Sequence, residues 1–270
     1  MFWVGLGLAL VSALAVNWAY SQEHDAAAAL PPLTLREPVR SARMLLGARD
    51  WLLGFGVESA GWIVYVVALR IAPLALVQAV SAAGIGVLAL ASARGRIDAI
   101  PRRDGTAVIV AFVGLLLLGL SLRGAHQVDH TPDAVGVVVW LGSCGVAALV
   151  ALRTLPFWVP AARFGLAGGL LFAAGDMSAK LVGYAGWWLL AAVPLVAAYG
   201  LGTSMLQGGF QRGGALTTAG IATLATNAVP IVAGFVLFRE RLPGGASGAL
   251  QIAAFSSIVV SATLLGRRAL

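Results

Sequence analysis

Charged residues are scarce in this chain, at 11% of 270 residues, where a soluble domain carries roughly 25%. That shortage excludes an ordinary water-soluble domain. Cysteine is nearly absent as well; Cys144 stands alone and excludes an internal disulfide. No phosphate-cradling glycine loop, convincing zinc motif or nucleophile with base and orienter occurs, so neither ATP hydrolysis nor an enzyme is expected, and no cofactor. The net charge of +7 does not gather on one solvated face, which excludes a nucleic-acid partner. No Ser- or Pro-rich linker divides the chain.

What the chain does have is hydrophobicity, with 60% apolar residues and a mean hydropathy of +0.91. Apolar stretches near 2–20, 51–69, 72–92, 105–122, 134–152, 161–182, 187–207, 215–238 and 246–266 are each long enough to cross a bilayer as a helix. The expected fold is an all-α polytopic membrane protein of about nine transmembrane helices, with lipids as its first partners. The first stretch lacks a basic leader, so it reads as a retained helix rather than a secretory signal. The 34 glycines suit close helix approach in a membrane.

Two short signatures recur. Arg70-Ile-Ala-Pro-Leu74 precedes Asp98-Ala-Ile-Pro101, and 142 residues later Arg212-Gly-Gly-Ala-Leu216 precedes Glu240-Arg-Leu-Pro243. Gly5–Leu10 likewise resembles Gly165–Leu170, and Ala111-Phe112 resembles Ala254-Phe255. Stretches one to four therefore match six to nine. The shift of five helices is odd, so the halves are inverted, an organisation of many secondary transporters. Of the 18 Lys and Arg residues, about thirteen fall on one side, including Arg163 and Arg212, and the positive-inside rule gives N-terminus out and C-terminus in. The expected organisation is one transmembrane domain over 1–270, with four helices in 1–123 and five in 134–270. A cytoplasmic loop over 21–50 carries Arg36, Arg40 and Arg43 at helical spacing, enough for a short interfacial helix.

The runs Trp51-Leu-Leu-Gly-Phe-Gly56, Ala68–Gln78 and Asn227–Pro243 resemble the drug/metabolite transporter superfamily, in particular its EamA-like and NIPA-like (magnesium transporter) branches. The resemblance implies ten helices in two inverted halves of five, and against that pattern the first half here lacks its first helix. It also brings magnesium forward as a substrate.

Ionisable groups inside apolar stretches are costly and mark function. Glu58 lies within the second stretch among Gly56, Ser59, Ala60 and Gly61, as a proton or cation site. Asp176 and Lys180 are one turn apart in the sixth, the favourable order for an ion pair. Asn17, Tyr65, Gln78, Gln207, Asn227 and Gln251 are polar candidates for the pathway, with helix-to-helix bonding as their ordinary role. Pro230 follows Asn227 within a turn and frees backbone carbonyls, and Pro194 is a second expected helix break. The run His126–Asp133 reads as a solvated loop, and no metal ligand set is assigned.

The expected function is secondary-active, proton-coupled transport of a small solute by alternating access in a bacterial inner membrane. Three alternatives stand beside it: divalent cation (magnesium) transport, a lipid-linked carrier flippase needing a side opening with an arginine such as Arg70 or Arg212, and a non-transporting scaffold. A homodimer or association with other membrane proteins is left open.

Overall fold

The computed structural model describes residues 2–34, 37–71, 74–121, 132–154, 160–182, 184, 186–237 and 245–266. Ten α-helices account for most of them: α1 (Phe2–Ala29), α2 (Pro38–Gly47), α3 (Arg49–Ile71), α4 (Leu74–Ser92), α5 (Arg102–Ser121), α6 (Ala134–Thr154), α7 (Pro160–Val182), α8 (Ala192–Phe210), α9 (Ala215–Leu237) and α10 (Gly245–Gly266). Short 3-10 turns occupy Ile97–Ala99 and Gly186–Ala191. Among the described residues, Trp3–Ala29, Arg49–Ala68, Ala134–Thr154, Gly186–Phe210 and Gly245–Gly266 are long and apolar enough to cross a membrane. The chain is an all-helical, multi-pass membrane protein.

Its outer surface has the matching character. Val135, Val193 and Ile252 are each more than 70% exposed, a surface that water would penalise and lipid tails would not. With no hydrophobic force between helices in lipid, close packing must hold them together. Gly169 of α7 is one such contact: a methyl group there would lie 2.6 Å from the Ala222 carbonyl oxygen of α9.

The packing repeats along the chain. α1 packs on α3 and α4, just as α7 packs on α8 and α9; α4 meets α5, α9 meets α10, and α5 and α10 pack on each other. α6 is additional, lying on α7 beside α9. Leu170, Leu171 and Ala174 of α7 sit in the clusters that α6 covers. Their counterparts in the first half, Leu10, Val11 and Leu14, are exposed on α1.

Two local features differ from the simplest reading of the sequence. α1 continues to Ala29, past its expected end at residue 20, because Tyr20, Glu23 and Ala27 share one inward face. Within 21–50, α2 starts with proline in its first turn, where no backbone donor is required. It holds Leu45 against Leu33 and Trp51 and leaves Arg40 and Arg43 exposed. Of the repeated signatures, Glu240–Pro243 and Ala72-Pro73 lie outside the described residues, as do residues 126–131 of the histidine run.

Candidate functional site

A cavity of about 1660 Å³ lies between the halves, lined by α1, α2, α3, α7, α8 and α9. Of the residues singled out in the sequence, Asn17, Glu58, Tyr65, Asp176, Gln207, Asn227 and Pro230 line it. Lys180 is exposed at the end of α7. Gln251 is buried at 2% exposure but away from the cavity. Pro194 falls in the first turn of α8, immediately after the 3-10 turn, where it breaks no mid-helix bond. The side chain of Gln78 lies outside the described residues.

At the centre, Glu58 of α3 adjoins Glu23 and Tyr20 of α1. Glu23 is fully buried, and α3 comes near enough that a methyl group on Gly54 would lie 2.8 Å from the Glu23 side chain. One carboxyl oxygen of Glu23, Oε2, accepts a hydrogen bond of 2.5 Å from Nε2 of Gln207. The Glu23 and Glu58 carboxyls are hydrogen-bonded to each other, and Tyr20 bonds Glu58 as well, whereas Oε1 of Gln207 meets no donor among the described residues. Two adjoining carboxyl groups need a proton or a cation between them, and orphaned buried acceptors ask for an explanation. Every group in this cluster presents hard oxygen, the donor type that suits magnesium and calcium.

A second acid stands nearby. Asp176 of α7 accepts a hydrogen bond from the Tyr199 hydroxyl of α8, and both line the same cavity as Glu58. Asn227 gives its amide to the Thr223 carbonyl at 2.8 Å, while Pro230 interrupts the hydrogen bonding inside α9. Asn17 bonds the Ala13 carbonyl at 2.9 Å. Both amides thus satisfy their own helices and face the cavity as walls.

One end of the cavity carries arginines. The guanidinium of Arg212 lies 4.6 Å from the centre of the Phe164 ring and that of Arg163 lies 5.9 Å from the same ring. Burial, and then the charge of Arg163, hold Arg212 below its ordinary value. Beside them the two halves are fastened. Gln211, just after α8, gives its amide to the carbonyls of Ala27, Leu30 and Pro31 at 2.8, 3.2 and 3.1 Å and accepts from the Leu33 amide at 2.8 Å. It thereby ties down carbonyls at and just beyond the end of α1, of which that of Ala27 also accepts from the Leu30 amide at 3.2 Å. His24 adds a 3.1 Å contact to the Gly213 carbonyl and an edge contact to Phe210.

Sequence reasoning missed Glu23, Tyr20, Tyr199, Gln211 and Arg163 as site residues, and offered Arg212 only for the lipid-carrier alternative. The signal for Glu23 was its three-residue step from Tyr20, hidden inside the polar run Ser21–Asp25. Against known proteins, the chain is 23% identical over 272 residues to "Probable magnesium transporter NIPA9" of Arabidopsis thaliana, a match covering 93% of this chain and 78% of that one. The similarity is to a NIPA-like protein. No protein-family model and no solved structure matches it. At 93% of the chain, the similarity takes in parts of both halves.

Proposed function

We propose that this protein transports a divalent cation, magnesium, through the cavity between its halves, with Glu23 and Glu58 as the cation site and Gln207 as a neutral oxygen donor. The observation that carries this reading is the hydrogen-bonded pair of carboxyl groups, Glu23 and Glu58, deep among apolar helices, with Gln207 Oε1 beside it meeting no donor among the described residues. Magnesium keeps several waters and binds through one or two carboxylates, which this cluster can supply. The name of the Arabidopsis relative points the same way. Transport follows alternating access: two inverted halves, N-terminus out and C-terminus in, rock about the site. The repeated packing of α1 and α7 on their neighbours supports that arrangement. Protons and the cation compete for the same oxygens, so the site couples one to the other.

The test is magnesium uptake into proteoliposomes, read by an entrapped indicator. Glu58→Gln is expected to abolish uptake while leaving a folded, monodisperse protein; undiminished uptake in that variant overturns the reading. A second reading, proton-coupled movement of an organic solute, is favoured by the size of the cavity. Six waters around magnesium occupy about 180 Å³ at roughly 30 Å³ each, far below 1660 Å³. Binding of an organic solute that depends on Glu58, together with no magnesium uptake, would decide for it.

A further inference from the structure

The excess volume lies to one side. α3 packs on α1, α2 and α4, and α8 packs on α1, α7 and α9. Between α3 and α8 the cavity is walled by Phe55, Trp62 and Ile63 on one edge and Val196 on the other, all exposed at 38% or more. A cation pathway cannot work with this wall missing, because Glu58 would face hydrocarbon directly. At the end of the same cleft stand Arg163 and Arg212, about the Phe164 ring, with the apolar residues Leu45 and Leu46 of α2 beneath. A charged end and an apolar slot open to the side are the two halves of an amphiphile's shape.

We propose that the cleft between α3 and α8 binds one anionic phospholipid, its phosphate on Arg163 and Arg212 and an acyl chain between Trp62 and Val196, closing the side wall of the cation pathway. The arginines lie on the side rich in Lys and Arg, which the positive-inside rule makes cytoplasmic, where anionic lipid is concentrated. Planar guanidinium groups bind phosphate through paired hydrogen bonds. Arg212 gives Nη1 to the Gly208 carbonyl at 2.7 Å and Arg163 gives Nη1 to the Leu152 carbonyl at 3.4 Å, which steadies both guanidinium groups at the end of the cleft, and an anion there would offset their mutual repulsion. The sheltering role rests on the cation pathway proposed above, whereas lipid binding itself does not.

Native mass spectrometry of the full chain in detergent, titrated with phosphatidylglycerol, phosphatidylcholine or inorganic phosphate, tests this. One phosphatidylglycerol is expected to be retained in preference to phosphatidylcholine. Electrostatic attraction of about 1 kcal/mol per arginine corresponds to about fivefold per residue, so Arg212→Gln should weaken retention about fivefold and the double variant with Arg163→Gln about 25-fold. Ser204→Trp, which narrows the cleft from α8 without touching the arginines, should also lower retention. Inorganic phosphate should not displace the lipid at equal concentration. Equal retention of both lipids with no effect of the arginine variants overturns the proposal, and displacement by phosphate alone overturns it in favour of a soluble phosphate compound. Glu58→Gln should leave lipid retention unchanged, so failure of the cation reading and failure of the lipid reading give separate results.

Discussion

Removing the Gln211 side chain should release the end of α1 from the α8–α9 turn. The two amide hydrogens of Gln211 are shared among the carbonyls of Ala27, Leu30 and Pro31, and its oxygen takes the Leu33 amide. That amounts to about three hydrogen bonds at a net 0.5–1.5 kcal/mol each. The junction is only part-buried, so the lower part of the sum applies, about 1.5–3 kcal/mol. If alternating access requires this junction to open, Gln211→Ala shifts the opening equilibrium about 10- to 100-fold. Ala27 is fully buried beside this junction. A cysteine there, in a chain whose lone Cys144 has been changed to alanine, should react with a maleimide at least tenfold faster when Gln211 is alanine. Gln211→Glu, which loses both donors and sets a carboxylate against carbonyls, should accelerate it further. Labelling within twofold of the parent in both variants would refute the idea that Gln211 holds the halves together.

Other predictions follow from the same geometry. Glu23→Gln should cut magnesium uptake at least tenfold, since it removes one of two charges from the proposed site; uptake at the parent level would assign Glu23 a purely structural role. Gly169→Leu should lower thermal stability in detergent by about 1–3 kcal/mol or more through overpacking, because even a methyl group meets the Ala222 carbonyl at 2.6 Å; an unchanged melting temperature would contradict the tight α7–α9 contact. By contrast, Arg40→Ala breaks the exposed ion pair with Glu37 and should change stability by less than about 1 kcal/mol, measured by the same melt.

Apolar stretches and the repeated signatures made the long helices legible, because a bilayer leaves a chain few other ways to satisfy its backbone. Glu58 was legible for the same reason: a lone carboxylate in an apolar stretch has to be explained. Glu23 was not, since its neighbours Gln22, His24 and Asp25 look like a loop, and only the packing of α1 against α3 reveals which of those polar residues turns inward. Asp176 was found but its contact was not. The sequence offered Lys180 four residues away, whereas Tyr199 approaches from another helix and no local spacing encodes that approach. Arg163 was read as a charge that fixes orientation, a role visible from counting, and Arg212 as that and as a candidate beside a side opening. Their meeting at Phe164 depends on how α7 and α8 lie together. Gln251, offered either for the pathway or as a bond between helices, is buried outside the cavity lining, and sequence alone could not choose between the two.

The unequal covering of α1 and α7 gives the molecule a stiff side and a compliant one. α6 braces α7 along its length like a rib, while the matching edge of α1, at Leu10, Val11 and Leu14, is exposed with no helix over it among the described residues. In the proposed alternating-access cycle the braced half would act as the frame and the other as the lever, so the stroke would be carried mainly by α1 and α3. Hydrogen exchange in a lipid nanodisc should then be faster in α1 than in α7, and equal rates would mean that both halves share the work.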